Sequence, residues 1–516
     1  MFLATDVFVL DFYNFLITNY YFRFLALKRN YVPITNFMIS ILNNRAEIVA
    51  REDLVMFINA CLSCSGQREF YDDAYGQKVS IDFLHQYILG NYRLLYARTL
   101  AAGINHFNQV QIILNLLATG KNTSAQHRQE EGALIAWALQ QLPPQRAWGV
   151  LQQLRQRKIN NRRSRAIARD YVNYRRNIDF DAVKYRSKVR AIVTHAHLKL
   201  QGELSNFLFR NWKQKVYQTE LFENFRQAHF SAEAVYKLPF TVAEGLAAKH
   251  KIKREVFLSR IQERMTLNEK LRFQNAAYSA QIKIDLDLAR LPLTKLALYI
   301  LSLPANTRKQ KRDILNLALE KSAQKIFKQA PMKLQRVAAV LDCSYSSYGS
   351  SEKRRRPLGV ALATHYLLKA ASKEYQDFWT LPLVDPLFVN PRGQSDLATP
   401  LLNALEWGAD LVVIVSDGCE NDPPYGAAQV LSIFRNRLDP NNRTSIVHCN
   451  PVFNSDDFSV RSLCPDIPTV GLRDAQDLPT MLGFAQFANG SASLSDLENY
   501  LEVRSKRRRQ RNYEPM

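Results

Sequence analysis

Between residues 45 and 330, apolar positions recur at three- and four-residue intervals in successive runs. Short polar or proline-containing segments separate the runs, among them Thr119-Gly120-Lys121-Asn122 and Pro143-Pro144. That period gives each run one apolar stripe and predicts a series of helices, each about 12 to 20 residues long. The runs Ala133-Leu134-Ile135-Ala136-Trp137-Ala138-Leu139 and Ala147-Trp148-Gly149-Val150-Leu151 flank the proline pair, so a helical hairpin is predicted there. Strand signal is sparse. The expectation is an all-α, HEAT-like helical repeat over residues 1–330.

After residue 331 the pattern changes. Val337–Leu341 and Leu411–Val415 are short, fully apolar runs; Thr444–Cys449 and Thr469–Leu472 read as two further strands. Helices are predicted from Pro357 to Ala371 and from Leu478 to Phe487. Continuously apolar strands alternating with helices predict a mainly parallel sheet covered on both faces, an α/β doubly wound, Rossmann-like domain over 331–503. Ligands of such sheets bind at the carboxyl ends of the strands.

Residues 1–27 are rich in aromatic and aliphatic side chains, but Asp6, Asp11, Asn14, Asn19 and Arg23 interrupt them and no basic segment precedes them. A packed first helix fits better than a membrane span or a signal peptide. Six cysteines in 516 residues form no dense framework, which points to free thiols and a cytoplasmic protein. Cys61 and Cys64 lie in an apolar helical run, where burial is expected rather than zinc or redox chemistry. The chain is 47% hydrophobic and 22% charged, so disorder throughout is excluded.

Charge divides the chain. Residues 1–330 carry 49 Lys and Arg against 26 Asp and Glu, while 331–516 carry 20 against 21, so the formal charge of +22 belongs to the helical part. It is densest at 151–190, where Arg155, Arg157, Lys158, Arg162, Arg163, Arg165, Arg169, Arg175, Arg176, Lys184, Arg186, Lys188 and Arg190 face only Asp170, Asp179 and Asp181. Such a field attracts polyanions, and guanidinium forks suit phosphate oxygens and stack on bases. Tyr171, Tyr174 and Tyr185 are interleaved with the arginines as candidate stacking platforms for unpaired bases. The run Arg504-Ser505-Lys506-Arg507-Arg508-Arg509-Gln510-Arg511 is expected to open a disordered basic tail over 504–516.

A second constellation lies at the strand ends. Asp342-Cys343-Ser344-Tyr345-Ser346 follows the first apolar strand, Ser416-Asp417-Gly418 follows Leu411–Val415, and Gly393-Gln394-Ser395-Asp396 lies in the loop between. Asp342, Ser344, Ser346, Ser395 and Asp417 offer two carboxylates and three hydroxyls, a hard all-oxygen set suited to Mg²⁺ or another divalent cation. Thr399 is the alternative hydroxyl if the loop register differs. Residues 334–500 resemble von Willebrand factor A-like domains, with these five residues at the positions of the metal-ion-dependent adhesion site and Val470–Leu478 similar to the closing strand and helix. Tyr345 stands where that family usually has Gly, and Ser395 where it usually has Thr. The resemblance implies recognition, not hydrolysis: the ion keeps one position open for an acidic residue of a protein partner.

A basic helical module before such a domain resembles the Ro autoantigen, or TROVE-module, family. Asn161–Tyr171 is similar to its basic helix ending in an aromatic residue. Val183-Lys184-Tyr185-Arg186 with His195-Ala196-His197-Leu198-Lys199 is similar to its next helical pair, and Gly393–Leu401 to its metal loop. The resemblance implies a ring of helical repeats closed by the metal domain. It further implies small structured noncoding RNA on the basic outer surface and single-stranded RNA ends in the central hole, with His195 and His197 as candidate RNA contacts. The segment between Arg186 and His197 is shorter than the family's Gly-Trp-Ser-His-type stretch.

The expected function is therefore a non-enzymatic, monomeric RNA-binding protein without a membrane partner, a ribonucleoprotein scaffold or RNA quality-control factor. Neither a glycine-rich phosphate loop nor an H-E-x-x-H motif nor a nucleophile elbow occurs. The alternative is a metal-dependent adaptor that binds a partner carboxylate and no RNA.

Overall fold

The computed structural model describes residues 37–210, 213, 215–279, 286–329, 334–488 and 492–510. The packed helix expected over 1–27 lies outside them. From Arg51 onward the chain forms one compact unit; before it, residues 37–50 belong to the helix Phe37–Ser63.

Local sequence sets the helix limits. Asp73, Asn105, Ser124 and Asn161 each sit in extended backbone and accept hydrogen bonds from first-turn amides, and Asn161 with Ser164 completes a reciprocal capping box. The proline pair separates Ala125–Gln141 from Pro144–Gln156, as expected. Three helices end alike: Lys158, His197 and Lys251 turn left-handed at φ 55°, 53° and 53°. The next amide (Ile159, Leu198, Ile252) then reaches back to the carbonyl of Leu154, Val193 or Ala247. Several helices are shorter than 12 residues, such as Ile178–Lys184 and Glu220–Gln227. No helix among the described residues is long and apolar enough to cross a membrane.

The α/β part holds one five-stranded parallel sheet: β1 (Leu334–Leu341), β2 (Ser372–Trp379), β3 (Leu411–Val415), β4 (Ser445–Asn450) and β5 (Thr469–Gly471), in the order β2-β1-β3-β4-β5. Successive residues enter opposite cores. Val337, Ala339, Leu341, Val413 and Val415 pack with the helix Arg356–Ala371, while Ala338, Val340, Val412 and Ile414 pack with Ala398–Glu406 and Gly426–Ile433. Both faces are covered at the centre of the sheet, which is why Val337–Leu341 and Leu411–Val415 are apolar throughout. Strand order reverses between β1 and β3, opening a crevice at their carboxyl ends.

Both ends of the helical segment meet the α/β domain. At one end Leu293–Ser302 and Arg312–Gln329 pack on Arg356–Ala371. There Gly359 allows the close approach, since a Cβ on it would lie 2.6 Å from the Leu298 side chain. At the other end Asn59 completes the edge of β5, its Nδ2 donating to the Thr469 carbonyl (3.1 Å) and its Oδ1 accepting from the Gly471 amide (3.1 Å).

The basic tail requires a correction. Residues 504–510, expected to be disordered, continue the helix Leu494–Gln510. Leu497, Leu501 and Ser505 recur at four-residue spacing and are fully buried. Ser505 Oγ donates to Glu130, Arg504 to the Ala101 carbonyl, and Arg98 pairs with Glu502 at 3.6 Å. A stripe that packs on helical-module residues outweighs the repulsion within the basic run. Residues 511–516 lie outside the described ones.

Candidate functional site

The first site is built by register. Leu341 of β1 pairs with Val415 of β3, and the Asp342 amide donates to the Val415 carbonyl (3.0 Å), so Asp342 and Asp417 leave adjacent strand ends side by side. Asp342 Oδ1 accepts from the Ser344 amide (2.8 Å) and from Thr380 Oγ1 (3.4 Å). Ser344 Oγ and Ser346 Oγ lie 3.2 Å apart, and Ser346 hydrogen-bonds Asp417. The metal-loop segment zips onto this turn: Tyr345 N donates to the Gly393 carbonyl and Arg392 N to that of Cys343, each at 3.0 Å. The Ser395 amide donates to Asn421 Oδ1 at 2.7 Å. Asp342, Ser344, Ser346, Ser395 and Asp417 are all 5% exposed or less. Thr399, the alternative, is exposed on Ala398–Glu406, so Ser395 is the hydroxyl that the fold encloses.

The electrostatics fit a cation. Burial first, then the neighbouring charge of Asp417, pushes the Asp342 carboxyl up to about 7. Burial also raises Asp417, opposed by the Ser346 hydroxyl, the Cys419 amide and Arg461. Two enclosed carboxylates thus repel one another with little positive charge to relieve them. Among the described residues no group of three or more His, Cys, Asp or Glu could hold a metal ion, so an ion here would need the serine hydroxyls to complete its shell. The set is hard, all oxygen and compatible with retained water.

The second site is the basic surface, and the structure sorts its residues. Arg163 is half-buried and pairs with Glu131 (2.8 Å), whose side chain is fully buried and also bound by Arg93 (2.7 Å) and Thr123 (2.9 Å). Arg175 pairs with buried Asp181 at 2.6 Å, and Asp181 also accepts from Trp148 Nε1. Lys184 pairs with Glu269. Arg186 donates to the carbonyls of Phe207 and Leu208 and lies over the Phe207 ring. These four hold the helices together.

Arg155, Arg157, Lys158, Arg162, Arg165, Arg169, Arg176, Arg190 and His197 are exposed, and Lys188 is half-buried. Among the described residues Arg157 reaches Gln111 and Gln153, Arg169 pairs with its neighbour Asp170, and Arg190 lies over Phe209. Arg162, Arg165 and Arg169 share one face of Arg162–Asn173; Arg155 lies in the last turn of Pro144–Gln156, and Arg157 and Lys158 follow that helix. Of the three tyrosines, Tyr171 is core, edge-on to Trp148; Tyr185 is half-buried; Tyr174 is 75% exposed.

No family model matches this sequence, and no curated protein does. Among solved structures, the crystal structure of Deinococcus radiodurans Ro (RSR) protein overlies 85% of this chain and is itself covered to 100%, with a TM-score of 0.40 and 13% identity.

Several site residues carry no sequence signal of their own. Thr380 follows β2, a strand too polar to be read, and receives the Cys343 amide at 2.9 Å. Asn450 ends β4 and ties the Asp417 carbonyl to that of Arg461, each at 2.9 Å. Tyr71 comes from the helical module, and its phenol lies against Ser346.

Proposed function

We propose that this chain is a non-enzymatic RNA-binding protein, a ribonucleoprotein scaffold or RNA quality-control factor of the cytoplasm. Small structured noncoding RNA is held through phosphates by Arg155, Lys158, Arg162 and Arg165, and unpaired RNA ends are held by Tyr174 and the neighbouring arginines. The observation that carries this reading is that Arg155, Lys158, Arg162 and Arg165 are exposed and reach no carboxylate among the described residues. A solvated helix face would be expected to interleave acidic partners, as the rest of the chain does. Arginine outnumbers lysine ten to three in 151–190, which favours phosphate and base contact over simple solubility.

Asp342, Ser344, Ser346, Ser395 and Asp417 would hold Mg²⁺, which when bound neutralises the carboxylate pair. Asp342 and Asp417 supply the charge, the Ser344 amide and Thr380 keep Asp342 aimed, and Asn421 and Asn450 fix the loops beside it. To test the RNA reading, tagged full-length chain is isolated from its host cells and the retained nucleic acid is sequenced. Enrichment of a few small RNAs, lost when Arg155, Arg162 and Arg165 are changed to Gln, is expected. Recovery of unselected RNA by both proteins contradicts it.

A further inference from the structure

Residues 64–73 join the helices Phe37–Ser63 and Ala74–Asn91, and they bond to residues 350–353 and Ser455, in the loops that follow the carboxyl ends of β1 and β4. Gly66 turns left-handed at φ 73°, and a Cβ on it would lie 2.5 Å from the Phe107 ring. The segment is anchored on both sides of the site. On one side Ser350 Oγ donates to the Arg68 carbonyl (2.5 Å), the Arg68 amide donates to Glu352 (3.1 Å), and Glu69 forms a buried ion pair with Lys353. On the other, Asp72 accepts from the amide and the hydroxyl of Ser455, both at 2.9 Å.

Tyr71 stands between these anchors. Its phenol lies against the Ser346 hydroxyl and within electrostatic reach of Asp417 and Asp342. Phe70 is edge-on to Tyr71 at 4.8 Å and to Tyr345 at 6.2 Å, so three aromatic side chains roof the turn that carries the serines. Tyr71 is 57% exposed, whereas Ser346 beneath it is 5% exposed. Tyr71 is thus open to solvent as a residue while its ring packs edge-on against Phe70 and its hydroxyl meets Ser346. The acidic neighbours are committed elsewhere: Glu69 to Lys353, Asp72 to Ser455, and Asp73 to the cap of the following helix.

We propose that Tyr71 is the in-chain occupant of the outward face of the metal site, standing where an acidic side chain of a partner would otherwise approach. Cation binding then clamps segment 64–73 onto the α/β domain, and external carboxylates gain the site only when that segment lifts. The inference rests on the divalent-cation reading of Asp342, Ser344, Ser346, Ser395 and Asp417, and adds to it what covers the ion.

The test uses the full chain with Mn²⁺ as probe, its binding and water access read by proton relaxation, and amide exchange of 64–73 followed with and without Mg²⁺. Wild type is expected to bind Mn²⁺ with little response to added acetate. Tyr71→Ala and Tyr71→Phe are expected to bind it with relaxation enhancement per ion raised roughly twofold, as an inner-shell position opens to water, and to respond to acetate. Exchange of 66–73 in wild type is expected to slow about tenfold with Mg²⁺, equivalent to ~1.4 kcal/mol of added protection, and not in Asp342→Asn. Equal relaxation and acetate response in all three proteins, with exchange of the segment unchanged by Mg²⁺ although Mn²⁺ binds, overturns the occupant proposal and leaves the metal site standing. Absence of Mn²⁺ binding in wild type overturns both.

Discussion

Arg163 and Arg162 are neighbours in sequence, yet the structure gives them opposite roles, and this makes a double dissociation measurable. Changing Arg155, Arg162 and Arg165 together to Gln removes three exposed guanidiniums that reach no carboxylate among the described residues, so folding should be little affected. If each neutralises one RNA phosphate, the slope of log K against log salt falls by about 2 to 3, taking about 0.7 to 0.9 per contact. Near physiological salt that amounts to roughly a hundredfold in affinity, or ~2.7 kcal/mol.

Changing Arg163 to Gln does the reverse. It strips one of two guanidiniums from fully buried Glu131, leaving Arg93 and Thr123. A lost hydrogen bond to a buried charge costs about 1.5 to 3 kcal/mol of stability, with the salt slope unchanged. The assays are urea unfolding for stability and fluorescence anisotropy with a labelled small RNA across a salt series for binding. A triple variant whose slope falls by less than about 0.5, where about 2 is expected, refutes the phosphate assignment. An Arg163 variant of unchanged stability and lowered slope refutes the sorting.

Three further outcomes are expected. Asp342→Asn relieves the repulsion with Asp417, so without divalent cation the variant should melt no lower than wild type. Mg²⁺ at a hundred times its dissociation constant should stabilise wild type by about 2.7 kcal/mol and the variant not at all; equal stabilisation of both contradicts the site. His85 and His448 are enclosed, and burial holds each imidazole down to about 4. As pH falls below the ordinary value near 6.5, the unfolded chain takes up protons that the folded one refuses. The contribution of these two rings is therefore level above about pH 7 and lost between about 6.5 and 4, by on the order of 3 kcal/mol per ring, against the opposite trend of Asp342, whose raised carboxyl favours folding as pH falls. The difference in denaturation midpoint between wild type and His85→Gln, read at pH 7.5 and 5.0, checks this: wild type should lose more than the variant at the lower pH, and a difference that does not change with pH counts against it. Deleting 494–516 removes Leu497 and Leu501, both fully buried, at about 1.5 to 3 kcal/mol each. Faster proteolysis of 93–141 should follow, and an unchanged digestion pattern would speak against docking of that helix.

How much the sequence disclosed depended on what each residue needs as a neighbour. β3 could be read to the residue because Leu411–Val415 is buried on both faces and therefore apolar at every position. β2 could not: Ser-Lys-Glu-Tyr-Gln-Asp-Phe-Trp lies at the sheet edge, and its alternation resembles a loop. With β2 went Thr380, which aims Asp342. Asp342 and Asp417 were legible because they lie one and two residues past the ends of apolar strands, where register brings them together. In the basic segment, counting charges could not reveal partners. Glu131 lies 32 residues before Arg163, and only the fold places it beneath that arginine. Tyr71 lies still further from Ser346 in sequence, and nothing local marks it.

The most direct measurement is binding of the purified full chain to a structured small RNA with a free single-stranded end, a single-stranded RNA and a duplex DNA, each titrated from about 50 to 300 mM salt, a range over which purely electrostatic binding collapses. Preference for the RNA with a free end, persisting at physiological salt, is the expected result. Weak binding to all three that vanishes with salt would reduce the exposed arginines to a generic polyanion surface and contradict the RNA-binding function.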